Sequence, residues 1–135
     1  NSLAQLKREP NLGINLHNTN NRGDSQSWQS LQVVNQINSG RVLFQTAAAK
    51  EVYNAGKTAD EFMKEALAEQ LQRFSMNYSM RTGASVDFHA WALKALAATG
   101  DKQYLPLLKK IAKSGYYKKT KKFAKASAKT LRKSK

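Results

Sequence analysis

The sequence predicts an all-α protein, and three observations support this prediction. Apolar residues recur at three- and four-residue spacing from Trp28 onwards. Glycines interrupt the pattern at Gly40, Gly56, Gly100 and Gly115, which is typical of helix ends. The chain has 135 residues and no cysteine, so one core must stabilise it by packing alone. We therefore predict about six helices that pack as antiparallel hairpins.

Residues 1–26 are predicted to form an arm or loop ahead of the helices. This segment is rich in asparagine and contains Pro and Gly breakers, which favour turns over regular structure. Its alternating Leu12, Ile14 and Leu16 are compatible with a short edge strand or with packing against helices. The predicted organisation is therefore an arm, 1–26, followed by a single helical domain, 27–135.

The first three helices follow from apolar spacing. Helix one runs from Ser27 until Gly40 stops the pattern, and helix two spans residues 41–55, although its Val, Phe and Thr also suit strands. Thr58 and Glu61 have the spacing of a capping box, in which the hydroxyl and the carboxylate bond free backbone N–H groups. A third helix then continues to residue 74.

The last three helices are separated by turn residues. Residues 76–84 are predicted to form a loop, after which Ser85 can cap helix four. Asp101 is expected to cap helix five, and Pro106 lies in its first turns, where a missing N–H costs least. Helix six is predicted over 116–133.

The order of residues in 87–132 follows a recurring pattern. Residues 87–101 form an Ala/Leu-rich segment that closes with Gly-Asp, a Leu-Pro pair follows within 104–108, and residues 123–131 form a second Ala-rich segment. This order resembles HEAT repeats, particularly the short HEAT-like repeats of the phycobilisome-lyase type. The resemblance implies an α-solenoid fragment that acts as a scaffold for a protein partner.

Two features separate the chain from that family. The Val-Arg pair that usually opens the second helix of a repeat is replaced by Val86-Asp87 in one place and by Lys118-Lys119 in the other. A small-residue stripe is also common to unrelated helical hairpins. An irregular helical bundle is therefore the alternative architecture.

The positive charge is confined to the end of the chain. Residues 1–101 contain ten Lys/Arg and nine acidic residues, whereas 102–135 contain thirteen Lys/Arg and no acidic residue. On a helical wheel, seven cations of helix six fall within about 60° of one direction. These candidate anion-binding residues are Lys118, Lys121, Lys122, Lys125, Lys129, Arg132 and Lys133. The opposite side carries Tyr116, Thr120, Phe123, Ala124, Ser127 and Leu131, so the helix is amphipathic.

Three interpretations of this basic face stay open. It can be the solvated outer side of a terminal repeat. It can bind an acidic polymer such as nucleic acid, without sequence specificity and with a steep salt dependence, because lysines contact phosphates as point charges. It can also lie on an anionic membrane surface, although its apolar side is thin. The aromatic residues Tyr116 and Phe123 lie on the opposite side of the helix, so no aromatic residue interleaves with the lysines on the basic face to favour nucleic acid.

Few residues suggest catalysis or metal binding. His17 and His89 have no metal-ligand spacing, and His89 is expected to be a partly exposed helix residue. Glu61, Glu65 and Glu69 share one helix face but lack further oxygen ligands for a cation. We therefore predict a non-enzymatic binding domain for a protein partner, with no catalytic residue, metal or cofactor; anionic-polymer binding is the alternative.

We expect no transmembrane segment, because no apolar run approaches the roughly 20 residues that span a bilayer. The chain starts at Asn1 rather than Met and lacks cysteine. This fits a removed secretory signal, and it fits an excised fragment equally. An extracytoplasmic location, periplasmic or secreted, is expected ahead of a cytoplasmic one.

Overall fold

The structure is a computed structural model, and it describes residues 27–76 and 83–134. These residues form six α-helices, two short 3₁₀ turns and no strand. The helices are α1 (Trp28–Ile37), α2 (Val42–Ala55), α3 (Glu61–Phe74), α4 (Gly83–Thr99), α5 (Leu105–Ser114) and α6 (Lys118–Lys133), and the 3₁₀ turns are Gly56–Thr58 and Lys102–Tyr104. The predicted all-α fold with about six helices is confirmed.

The chain forms two compact units, Asn1–Leu31 and Gln32–Lys135. In the first unit the described residues begin α1, where the hydroxyl oxygen of Ser27 accepts a hydrogen bond from the backbone N–H of Ser30 at 3.0 Å. The predicted arm, 1–26, and most of the predicted loop at 76–84 lie outside the described residues. The remaining description concerns the second unit.

Helix α4 is the centre of the second unit, because it is apolar around most of its circumference. It contacts α2, α3 and α6. Its buried residues are Phe88, His89, Ala90, Ala92, Leu93, Ala95, Leu96, Ala97 and Thr99. Four of these are alanines, whose small side chains let neighbouring helices approach closely.

Helices α2 and α4 run in the same direction. Tyr53 of α2 lies against Trp91 of α4, with ring centroids 5.6 Å apart. Further along both helices, Gly56 lies beside the carbonyl oxygen of Ala98. Residue numbers therefore rise together along the two helices.

Helices α4 and α6 are also parallel. Near their starts, the Asp87 carboxylate of α4 pairs with Lys119 of α6. Beyond their ends, Gly100 lies beside the hydroxyl of Ser134. Helices α2, α4 and α6 therefore form one layer of parallel helices with α4 in the middle.

Helices α3 and α5 run antiparallel to that layer. Lys64, near the start of α3, pairs with Asp101 after the end of α4, while Phe74 at the end of α3 shares a pocket with Phe88 near the start of α4. Gly115 at the end of α5 lies beside Lys121 near the start of α6. The predicted antiparallel hairpins are therefore present as α3–α4 and α5–α6.

The N-cap of α3 is Asp60 and not the predicted Thr58. The Asp60 carboxylate accepts a hydrogen bond from the backbone N–H of Met63 at 3.0 Å. The Thr58 hydroxyl instead donates to the carbonyl oxygen of Ala55 at 2.7 Å. The predicted capping box is wrong, because the chain first forms a 3₁₀ turn that occupies Thr58, and Asp60 then directly precedes the helix.

Two other helix starts differ from the prediction. Helix α4 begins at Gly83, so Ser85 lies inside its first turn instead of capping it. Helix α6 begins at Lys118, and Tyr117 is the residue before it in extended conformation. Asp101 accepts a hydrogen bond from Gln103 N–H at 3.2 Å and caps the 3₁₀ turn that leads into α5. Pro106 lies in the first turn of α5, as predicted.

A partly buried ion cluster joins the start of α3 to the link between α4 and α5. Lys64 Nζ lies 2.8 Å from Asp101 Oδ2 and 3.0 Å from Glu61 Oε2. Burial by itself lowers the pKa of Lys64, but hydrogen bonds to the two carboxylates outweigh it and raise that pKa above its ordinary value. Burial raises the pKa of Asp101, and the Lys64 contact together with hydrogen bonds from Gln103 outweighs it, so this pKa is lowered.

Replacing a central leucine tests the role of α4. Leu93→Ala removes a fully buried side chain, and we expect it to lower the free energy of unfolding by about 2–5 kcal/mol. The matched control is Leu43→Ala on α2, whose side chain is 77% exposed; it is expected to cost at most about 0.5 kcal/mol. Chemical denaturation of both variants measures the difference, and similar costs for the two would contradict the central position of α4.

The ion cluster predicts that the loss of stability caused by a Lys64→Met substitution depends on pH. We expect Lys64→Met to be about 1–3 kcal/mol less stable than the original chain near pH 7. The pair stabilises the fold only when both groups are charged. Asp101 is charged above its lowered pKa, and Lys64 is charged below its raised pKa. The difference should therefore shrink as the pH falls below about 4 and as it rises above about 10.4. Denaturation at several pH values measures it, with Lys110→Met as the exposed control, and a difference that persists unchanged at pH values below about 3 would contradict the pairing.

Candidate anion-binding site

The basic end of the chain folds as the α5–α6 hairpin, residues 102–134. It contains no acidic residue. Helix α6 buries one side, formed by Thr120, Ala124, Ser127, Ala128 and Leu131. The structure therefore places the apolar side of α6 against the rest of the fold, as its periodicity predicts, and directs its cations outwards.

Six of the seven predicted cations of α6 are exposed, and the seventh is half-buried. The half-buried residue is Lys121, whose side-chain stem lies against Gly115. Lys119, which lies outside the predicted set, pairs with the Asp87 carboxylate of α4. Both groups of that pair are about half exposed, so the pair contributes little to stability.

A basic groove runs between α5 and α6. Its floor is formed by Ala112 and Ala128, and its volume is about 240 Å³. Four cations surround the floor: Lys109 from α5, and Lys125, Lys129 and Arg132 from α6. All four cationic side chains are exposed, so their charged groups are accessible to an anion from solution.

No carboxylate within 27–76 or 83–134 pairs with the four cations of the basic groove. Like charges on neighbouring side chains repel each other, and salt or a bound anion reduces the repulsion. Lys109 was missed by the sequence analysis, because the wheel of α6 alone cannot show which lysine of α5 faces it. The antiparallel packing of the two helices brings these cations together.

A second groove lies on the other side of α6, between α4 and α6. This aromatic groove has a volume of about 450 Å³. It is lined by Tyr53, Lys94, Ala97, Ala98, Phe123, Ala126, Ser127 and Thr130. Alanines of both parallel helices form its centre, and the rings of Tyr53 and Phe123 contribute aromatic surface.

Lysines are held against aromatic rings beside the aromatic groove. Lys94 Nζ lies 4.2 Å from the ring centroid of Trp91 and 5.3 Å from that of Tyr53. Lys50 Nζ lies 5.2 Å from the Trp91 centroid. Such cation–π contacts fix the lysine side chains and leave their charge in place. Trp91 is therefore a contact between α2 and α4.

This cluster is not predicted from helix six, because its lysines and aromatic rings belong to α2 and α4. The sequence does place a lysine three residues from an aromatic residue on each of these helices. The two pairs are Lys50 with Tyr53 on α2 and Trp91 with Lys94 on α4. Only the parallel packing of α2 on α4 brings the two pairs together.

His89 lies in a separate pocket between α2, α3 and α4, and the expectation that it is partly exposed is wrong. Its side chain is almost fully buried, and burial lowers its pKa to about 4. The pocket holds about 190 Å³ and is lined with the amides of Gln45 and Gln70 and with Ser85, but with no carboxylate. Within the described ranges no three His, Cys, Asp or Glu side chains cluster as metal ligands.

No protein-family model, curated protein or solved structure matches this chain. Among the described residues, no helix combines the length and apolar character needed to cross a membrane.

The burial of the His89 imidazole predicts a low pKa for this group. We expect His89 to titrate at a pKa of about 4, because burial disfavours the charged form. The unfolded chain binds this proton more readily, so stability should fall as the pH drops from about 6.5 towards 4. NMR of a His17→Gln variant, which leaves His89 as the only histidine, measures the titration; a midpoint near 6.5 would contradict the burial of the ring.

Proposed function

We propose that this chain is a non-enzymatic helical binding domain that holds the phosphate backbone of a nucleic acid on its α5–α6 hairpin. The observation that carries this proposal is the basic groove, where cations from two helices surround an alanine floor without a carboxylate partner among the described residues. Phosphates are the anions that such a row of point charges suits.

The burial of α6 favours nucleic acid over a membrane surface. A helix that binds a bilayer inserts its apolar side between the lipids. In this fold the apolar residues of α6, such as Ala124 and Leu131, are packed in the core. These buried residues are therefore not free to insert into a bilayer, whereas the cationic side of the helix is exposed to a partner.

Lysine dominance favours contact with the backbone over reading of base edges. Arg132 is the only arginine on the hairpin, whereas bidentate recognition of bases depends mainly on arginine. Binding by lysines depends on the release of counterions and weakens steeply as salt increases. We therefore expect low sequence specificity.

Titrating the chain with an oligonucleotide across a salt series tests the proposal. We expect measurable affinity at about 50 mM salt and a linear fall of log K with log salt. Lys109→Gln and Lys129→Gln, each of which removes one groove cation, should each reduce the salt slope by about one. The matched control is Lys110→Gln on the same helix as Lys109, because Lys110 is equally exposed but does not line the groove.

Three results would overturn the proposal. The first is no binding at about 50 mM salt, and the second is binding without a salt slope. The third is an equal loss of slope in the groove variants and in Lys110→Gln, which would indicate a net-charge effect without a site. Vesicles rich in phosphatidylserine serve as the competing surface, and binding to them alone would favour a membrane partner.

A scaffold for a protein partner is the second candidate function, and it rests on the HEAT-like resemblance together with an exposed apolar surface. Leu43 is 77% exposed and Phe44 is 47% exposed at the start of α2. A partner that docks on these side chains should bind with little salt dependence. A partner recovered with the original chain and with Lys129→Gln, but lost in a Leu43→Ser variant, would favour this function over nucleic-acid binding.

A further inference from the structure

Two different grooves flank the same cationic helix. The basic groove lies between α5 and α6, and the aromatic groove lies between α4 and α6. The exposed lysines of α6 that line neither groove include Lys118, Lys122 and Lys133. Since a helix with its side chains is only about 10–12 Å across, a strand whose phosphates follow these lysines passes directly beside the aromatic groove.

We infer that the nucleic acid held by this domain is single-stranded, and that its unpaired bases enter the aromatic groove while its phosphates contact α6. This inference rests on the proposed function, because it assumes that the α5–α6 hairpin binds a nucleic acid. The single strand then contacts two surfaces of the domain, the lysines of α6 and the aromatic groove.

The groove has the lining and the volume that a flat aromatic ligand requires. Its 450 Å³ falls within the range of about 300–1,000 Å³ that is usual for small-ligand sites. Tyr53 is 40% exposed and Phe123 is half-buried, so their rings are accessible from the groove. Ala97, Ala98 and Ala126 also line the groove and contribute only small methyl side chains.

Charge complementarity favours a nucleotide over an uncharged apolar ligand or a cationic peptide. Lys94 lines the groove and also contacts the rings of Trp91 and Tyr53. Lys50 contacts the same Trp91 ring. An occupant therefore meets aromatic surface and positive charge together. Proteins that bind single strands combine these two features, because every base has a π-face and every nucleotide has a phosphate.

A duplex does not use the aromatic groove. Its bases are covered on both faces by neighbouring base pairs, so these faces cannot stack on the rings of the groove. A preference for the single strand over the duplex therefore requires contacts to base faces, whereas the basic groove contributes to the binding of both.

Three probes of about 12 nucleotides test the inference with the full chain: a thymidine strand, an abasic strand and a duplex. The abasic strand keeps the phosphates and lacks the bases. We expect the thymidine strand to bind about 5- to 100-fold more tightly than the abasic strand, and more tightly than the duplex at equal salt.

The Tyr53→Leu variant removes the ring and keeps apolar volume. It should lower affinity for the thymidine strand at least about fivefold and leave affinity for the abasic strand unchanged. Tyr53→Phe, which keeps the ring, should retain the affinity. The matched control is Tyr116→Leu, because Tyr116 is also exposed but lines neither groove.

A spectroscopic signal separates base contact from loss of structure. A Trp28→Phe variant leaves Trp91 as the only tryptophan. Since Lys94 both contacts the Trp91 ring and lines the groove, a base that enters should change Trp91 fluorescence, and the abasic strand should change it less.

The failures of the two proposals are distinguishable. If none of the three probes binds at about 50 mM salt, the proposed function fails and the inference fails with it. If all three bind equally, with the expected salt slope and with no effect of Tyr53→Leu, the proposed function stands and the inference is overturned.

Discussion

The close approach of α2 and α6 to the two sides of α4 is the contact on which the rest of the structure depends. Alanines at 90, 92, 95 and 97 are buried on α4, and their small side chains allow the parallel helices to pack closely. Leu93 and Leu96 fill the remaining volume. Helix α4 is buried on nearly all sides. Helices α3 and α5 therefore pack on the outside of the layer, and each helix of the layer exposes at most one side to solvent.

This constraint determines where the charge goes. Helix α6 must direct Leu131 and Ala124 into the core, so its lysines face outwards, and α5 adds Lys109 to the same side. The resulting repulsion lowers stability unless salt or an anion screens it. Among the described residues, the carboxylates of Asp101 and Glu61 pair with Lys64 and that of Asp87 pairs with Lys119, and none pairs with a cation of the basic groove. The exposed cations of this surface therefore attract a polyanion.

The two grooves beside α6 differ in what they can recognise. The basic groove offers charge on an alanine floor, which suits phosphates of any nucleic acid. The aromatic groove adds the rings of Tyr53 and Phe123, which suit bases only when the bases are unpaired. The His89 pocket differs from both, because its lining of amides and a neutral imidazole gives it no charge to attract an anion.

Local spacing in the sequence predicts the helical class, the approximate extent of the helices and the amphipathic character of α6, because each of these depends on residues close together in the chain. Its errors at Thr58, Ser85 and His89 arose where a 3₁₀ turn, an earlier helix start or burial by other helices overrode the local pattern. Only the tertiary structure decided that Lys109 joins the cations of α6 and that Tyr53 meets Trp91. The register between helices depends on long-range packing of alanines, and periodicity along one helix does not contain that information.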